Sequence, residues 1–436
     1  MAEKKKSSKK TAGKGKATAK AAGGAAAIPA KYFKQLPETP LTKAFGVGGP
    51  LMTGAGLVGA GPDAMASLMN ALGYTTVEEA LGVLQTAKRE FVRYLGVPAA
   101  TIDAFVETLA KQATPIPKDV LKAITSQTYG FGLVLDEAHR SDRAPANVAL
   151  LPAVRAAGAG GAGAPIGLGG GPVGLVGDAV GGALPPNINL ISQLPNPVRD
   201  QNPRQTCVPH GTLVAYEHYL SVTSNAVDLS EQFLWWACKQ RDGIPPPNDI
   251  NGTTMAAAAD SLEQVGVCQE SLWPYVNAEN PNNVSQGPPP PGAGPDAGNF
   301  RVNQVIRVSP TAVNDYKRIL ASGRCVAFAV PVYNSSFNPQ APGQFGQWAA
   351  TSFATGKITL PVQGEFPIGG HCMCMVGYED DTSVPALGGG RFIIRNSFGS
   401  LWGSSSKFAA EFGPGYGTIP YAYVAGQARD IGIAFL

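Results

Sequence analysis

Gln201-Asn-Pro-Arg-Gln-Thr-Cys-Val-Pro-His-Gly-Thr-Leu-Val-Ala-Tyr-Glu-His-Tyr-Leu220 changes texture at Cys207. Before it the chain is polar and broken by proline; after it Leu213, Val214, Tyr216 and Leu220 recur at the spacing of one helix face. A helix is therefore predicted over 207–220, with Cys207 at its N-terminus, where the helix dipole and the unpaired first N–H groups favour a thiolate. Further helices are predicted over 230–239 and near 253–264. The period then switches: Cys325-Val-Ala-Phe-Ala-Val-Pro-Val-Tyr333 and the runs 371–378 and 391–395 are β-rich and bounded by Gly and Pro. Helices first and strands second predict an α+β unit of two sub-domains, with the cleft between them as the place for a site. One interruption, 281–295 with consecutive prolines at 288–291, reads as a long surface connection.

Upstream of this unit, assigned to 188–436, the chain is Gly/Ala-rich with Pro165 and Pro172, and Asp178 is the single charge between Arg155 and Arg199. That composition reads as a linker over 151–187. Residues 41–150 form a helical region, strongest over 63–127. Met65, Leu68, Met69 and Leu72 share one face, Ile102, Phe105, Val106 and Leu109 another, and Thr76 and Glu79 have capping-box spacing. Residues 1–40 read as a solvated basic tail: positions 1–20 hold eight Lys and one acid, so a total of +3 leaves −4 for the rest. Weak contact with a polyanion or nucleic acid through this Lys-rich tail is the functional alternative, without base stacking, because no aromatic precedes Tyr32.

Composition narrows the class. With 436 residues, 44% hydrophobic and 15% charged, the chain is too apolar for disorder throughout, and its 54 Gly and 37 Pro show no three-residue period, which excludes a fibrous reading. The Ala/Gly stretch 21–30 is too weakly apolar for a secretory signal, and Gly and Pro break every apolar run short of a membrane span. A soluble, cytoplasmic protein is expected. Six cysteines at 207, 238, 268, 325, 372 and 374 make no CxxC pair, which fits neither a disulfide framework nor a zinc ribbon. No cofactor and no metal are expected.

A cysteine nucleophile needs a base, and the chain has four histidines. His139 lies in a polar run, and His210 and His218 lie on the same predicted helix as Cys207, poorly placed to face a thiol at its start. His371 opens a strand after Gly369-Gly370, where glycine permits close approach, and could reach across a cleft. Spacing alone leaves open whether His371 is that base or a satisfied structural residue, and whether Cys207 is a nucleophile or a core cysteine, as Cys238, Cys325, Cys372 and Cys374 are read to be.

Several phrases bear on that choice. Gln201-Asn-Pro-Arg-Gln-Thr-Cys207 resembles the Gln-x5-Cys segment of papain-like cysteine peptidases. Leu229-Ser-Glu-Gln232, Asn251-Gly252-Thr253 and Trp273-Pro-Tyr275 are similar to the helix after the nucleophile, the cleft wall and the Tyr-Pro-Tyr stretch of that family. Gly370-His371-Cys-Met-Cys-Met-Val-Gly-Tyr378 resembles its histidine strand, Asn396-Ser-Phe-Gly-Ser-Leu-Trp402-Gly403 its Asn-Ser-Trp-Gly-x-x-Trp-Gly, and Gly415-Tyr-Gly-Thr-Ile-Pro-Tyr421 a phrase of bacterial members. The matches keep family order over about 188–436.

The resemblance implies a papain-like two-subdomain fold, helical on one side and β-barrel-like on the other. It implies Cys207 as nucleophile, His371 as base and later acid, Asn396 as the orienting amide and Gln201 as an oxyanion donor. It also implies substrate contacts from Gly252, Thr253, Gly370, Cys372 and Trp402. The activity implied is a thiol peptidase, endopeptidase rather than exopeptidase, acting on a peptide or protein through a covalent acyl-enzyme. The alternative is a catalytically weak relative used as a peptide-binding or structural module. Residues 41–150 would then be a pro-region, making the chain a zymogen, or a docking domain. The sequence also departs from the family: Arg204 stands where a disulfide cysteine is usual, Val208 and Phe398 replace tryptophans, Thr253 replaces a glycine, and Gly370 an Asn or Asp.

Overall fold

The computed structural model describes residues 40–46, 61–71 and 97–113, scattered positions from 74 to 92, and 184–435 apart from 202, 244–251, 277–286, 335–354, 359, 361–365, 384–386, 401 and 405. The Lys-rich tail, His139 and positions 151–183 of the expected linker lie outside the described residues.

In the N-terminal part the predicted stripes fold as helices α1 (Leu41–Ala44), α2 (Pro62–Ala71) and α3 (Ala99–Gln112). Met65, Leu68 and Met69 of α2 meet Ile102, Phe105 and Leu109 of α3 in one apolar cluster, to which Phe45 and Tyr74 also belong. The spacing of three and four residues puts each set on one face, and burying that face is what holds helices this short. On the outside, Lys88 pairs with Asp103.

From residue 187 onward the order is β1 (Asn187–Asn189), α4 (Cys207–Thr223), α5 (Glu231–Arg241), α6 (Met255–Gln264), α7 (Ala293–Ala297), β2 (Ile306–Val308), α8 (Val313–Ala321), β3 (Val326–Asn334), β4 (Phe366–Asp380), β5 (Gly390–Arg395), α9 (Ala409–Phe412), β6 (Tyr416–Pro420), α10 (Tyr421–Gln427) and β7 (Gly432–Ala434). Helices therefore come first and the sheet second, as the change of period predicts. The sheet runs β2-β7-β3-β4-β5-β6, with β1 beside the far end of β4 and every pairing antiparallel. β4 exceeds the predicted 371–378 because it serves three neighbours, β3, β5 and β1. Gly377 admits β1: a Cβ there would stand 2.2 Å from the Ile188 carbonyl oxygen.

Side-chain capping starts α5 and α6 where sequence places them. Ser230 Oγ accepts from the Phe233 N–H at 3.0 Å, and Thr254 Oγ1 from the Ala257 N–H at 3.1 Å, each satisfying a donor the helix cannot. Of the surface connection predicted over 281–295, positions 281–286 lie outside the described residues and 287–292 are half-buried or exposed; the stretch leads into α7, a short helix whose Ala293 and Ala297 are buried in the main core and whose Asp296 accepts from the Gln269 N–H at 2.9 Å. Two alanines one helical turn apart make a small apolar face that the proline-rich composition hides.

α4 carries the architecture. Every residue from Cys207 to His218 is buried, so the helix has no solvent face over its first three turns and must be wrapped by other elements. It lies on β4 and β3, and Gly211 sets the approach: a Cβ there would sit 2.6 Å from Cys372 Sγ and 3.2 Å from the Met373 backbone. Gly211→Ala is expected to push helix and strand apart and lower stability by about 1–3 kcal/mol. Urea unfolding followed by tryptophan fluorescence measures it, and an unchanged midpoint would refute the close-approach account.

Candidate active site

The site is built on three backbone features: the start of α4, the middle of β4 and the turn after β5. Cys207 is the first residue of α4 and fully buried. Pro209 is tolerated two residues on because first-turn N–H groups have no partner inside the helix. Thr206 precedes the helix without capping it by its side chain. Its hydroxyl lies 2.7 Å from Tyr275 Oη, and its carbonyl oxygen accepts from His210 Nδ1 at 2.8 Å.

His371 sits on β4 opposite Val330 of β3 and is fully buried. Its Nε2 is 2.8 Å from Asn396 Oδ1. Asn396 directly follows β5, and its orientation is set twice: its own N–H donates to the Gly415 carbonyl at 2.9 Å, and its Oδ1 accepts from the Ser397 N–H at 2.8 Å. Because Oδ1 can only accept, the shared bond fixes Nε2 as the protonated nitrogen of the neutral ring. Phe398 covers the imidazole at 4.5 Å between ring centroids, so the apolar lid expected in place of tryptophan is present.

Gln201 is held from the same turn. Its N–H donates to the Ser397 carbonyl at 2.9 Å, its Oε1 accepts from Ser397 Oγ at 2.6 Å, and its Nε2 donates to the Arg204 carbonyl at 2.8 Å. Cys372, next to His371, brings its sulfur 4.0 Å from the carbonyl oxygen of Val208, next to Cys207, so β4 and the first turn of α4 meet at this point. The structure thus sets His371 on Asn396 and Gln201 on Ser397, the residue after Asn396, while the first turn of α4, which begins at Cys207, meets β4 beside His371. Ser397 and Tyr275, which belong to phrases quoted above but draw no role from sequence, prove to be the connectors; a hydroxyl directly after Asn396 is the one available signal.

The residues expected to contact substrate have partners within the protein. Gly252 donates its N–H to Gln205 Oε1 at 3.1 Å and its carbonyl accepts from Lys239 Nζ at 2.9 Å. Thr253 is buried with its hydroxyl 3.2 Å from Asp242, and Gly370 pairs with Pro331 in the sheet. Trp402 is buried against Gly417 of β6. Cys372, expected to line a substrate pocket, has its sulfur in the seam between α4 and β4, on the side of the strand that faces Gly211.

Burial governs the charges. It lowers the His371 pKa to about 4, only partly offset by the bond to Asn396, so an imidazolium there requires a thiolate beside it. Burial likewise holds His210 at about 3 and His218 at about 4. Behind α4, Arg199 pairs with Glu217, Asp228 and Glu231, which fixes the chain two residues before Gln201. Burial outweighs that arginine at Glu231 and raises its pKa to about 8. Among the described residues no cluster of His, Cys, Asp and Glu could hold a metal ion, all six cysteines are free, and no helix is long and apolar enough to cross a membrane.

The sequence model described as papain family cysteine protease matches residues 185–413. An uncharacterised peptidase C1-like protein of Acanthamoeba polyphaga mimivirus is 26% identical over 186 residues, which are 41% of this chain and 50% of that protein. Peptidase 1 of Euroglyphus maynei is 23% identical over 225 residues, 51% of this chain and 60% of its own length. The chain therefore spans half to three-fifths of the length of these relatives. Among solved structures, xylellain, a cysteine protease from Xylella fastidiosa, superposes with a TM-score of 0.49 at 21% identity, covering 71% of this chain and 97% of that one.

One buried histidine gives a clean pH test. Neither ring nitrogen of His218 has a hydrogen-bond partner, and its folded pKa lies below the usual 6.5. The unfolded chain therefore binds this proton first, and stability is lost as pH falls from 6.5 through about 4. His218→Leu is expected to be more stable than the parent at pH 5 by about 2 kcal/mol beyond any difference at pH 8. Urea midpoints at the two pH values measure this; an equal difference at both would refute it.

Proposed function

Because this chain belongs to the papain family of cysteine proteases, we propose that it is a working thiol peptidase whose nucleophile is Cys207. The observation that carries the reading is the 2.8 Å bond between His371 Nε2 and Asn396 Oδ1, on a strand in contact with the helix turn that begins at Cys207. With Nε2 engaged, Nδ1 is the nitrogen that exchanges a proton with the thiol. Cys207 transfers its proton to His371, and the sulfur attacks the carbonyl carbon of a peptide bond. The developing oxyanion is received by the Gln201 amide and the Cys207 backbone N–H. Collapse breaks the C–N bond as His371 returns its proton to the departing amine, leaving a thioester. Water, deprotonated by His371, then releases the acid and restores the thiol. Asn396 fixes the ring without adding charge. Cleavage within a chain, rather than from its ends, is the form proposed.

A second reading concerns regulation. Cys207 and His371 are both fully buried, and the Tyr74 hydroxyl of the N-terminal cluster donates to the Leu360 carbonyl at 3.1 Å, ahead of β4. These observations favour residues 41–150 acting as a covering segment, a zymogen arrangement, over a detached docking module. If so, cleavage within 151–187 should occur on incubation of the parent but not of Cys207→Ala, and the released C-terminal part should turn over peptides faster. Equal activity before and after removal of residues 1–187 would eliminate inhibition.

For the chemistry, Cys207→Ala and His371→Ala are each expected to lower kcat by about 10⁴-fold or more, and Asn396→Ala by about 10- to 100-fold, because it moves no proton. His210→Ala and His218→Ala should retain turnover. Digestion of a peptide library by the purified protein, with Cys207→Ala as control and fragments sized by mass spectrometry, measures activity and internal cleavage together. Full activity in His371→Ala would overturn the assignment.

A further inference from the structure

Arg204 stands where the family commonly has a disulfide cysteine, and it is among the largest fully enclosed side chains of the protein, 2% exposed. A cation this deep needs acceptors, and the structure provides four. Its guanidinium carbon lies 4.9 Å from the ring centre of Trp235 and 4.8 Å from that of Tyr275, within cation–π range of both faces. Its Nη1 donates to Gln232 Oε1 at 2.7 Å and to the Val276 carbonyl at 2.8 Å. Trp235 and Gln232 belong to α5, and Tyr275 and Val276 to the segment beyond α6, so one side chain ties the turn before α4 to two other parts of the fold.

The backbone of the same residue handles the oxyanion donor. The Arg204 N–H donates to the Gln201 carbonyl at 3.1 Å, and the Arg204 carbonyl accepts both Gln201 Nε2 at 2.8 Å and the Thr206 N–H at 3.0 Å. Tyr275, which stacks on the guanidinium, also donates its hydroxyl to the Gln201 carbonyl at 2.8 Å. A side-chain amide has two N–H bonds in one plane, so the bond to Arg204 fixes where the other points.

We propose that Arg204 is a positioning residue: its guanidinium, clamped between Trp235 and Tyr275, sets the turn that aims the Gln201 amide at the oxyanion. This rests on the peptidase reading above. Lysine cannot substitute, since an ammonium is a point charge with no plane to stack.

The test uses the full-length protein and Arg204→Lys, which keeps the charge and most of the length. Two reactions of Cys207 are compared, each corrected with Cys207→Ala. Hydrolysis of a peptide amide needs the oxyanion donor, whereas alkylation of the thiol by iodoacetamide forms no oxyanion. Arg204→Lys is expected to lower kcat for the amide by about 10- to 100-fold, with KM and alkylation rate within about twofold of the parent. Added to Gln201→Ala, it should cost no further activity. If Arg204→Lys does not fold, Trp235→Phe, which leaves both hydrogen bonds and thins one wall, should show the same split at about 3- to 10-fold. A kcat within twofold of the parent, or hydrolysis and alkylation falling together, would overturn the proposal. A parent protein that alkylates but hydrolyses nothing would instead overturn the peptidase reading.

Discussion

The contact between α4 and β4 at Gly211 is the constraint on which the site depends. A helix buried on all sides can meet a strand at backbone distance only where one of them lacks a side chain, and here the helix does, leaving room for the sulfur of Cys372. That approach brings the first turn of α4, at Val208, against β4 at Cys372, so the residues on either side, Cys207 and His371, are carried by two regular elements in direct contact. Sites held on regular elements keep their geometry better than sites held on loops.

The second half of the site hangs from a single dipeptide. Asn396 bonds to His371, and Ser397 holds Gln201 by both its backbone and its side chain, so the histidine and the glutamine are tied to one piece of backbone. That piece is fixed to Gly415 just before β6, which places the responsibility for alignment on the far edge of the sheet.

Much of this was legible in the sequence, for identifiable reasons. The period change from 3.6 to 2 gave the order of helices and strands, and the apolar runs placed two helix starts within a residue or two of where Ser230 and Thr254 cap them. Cys207 and His371 stood out as candidates by their positions at a helix start and after a glycine pair, whereas Asn396 and Gln201 were singled out by the resemblance of their phrases to papain-like peptidases. Direction was not legible. Whether Cys372 faces substrate or core depends on which way a strand residue points relative to a bulge, and β4 carries such an irregularity between Met375 and Gly377. Nor could α7 be read beneath its prolines, because two buried alanines leave almost no hydrophobic signal. The partners of Arg204 come from positions 232, 235, 275 and 276, a pairing at sequence distance that no local pattern carries.

The replacement of a covalent bridge by a guanidinium changes what the unfolded chain is. A disulfide shortens the loops open to the denatured ensemble and so acts before folding begins, whereas stacking and hydrogen bonding act only once Trp235 and Tyr275 are in place. With six free thiols, this turn is held by packing and hydrogen bonds alone, so no covalent tie carries its geometry into the unfolded chain.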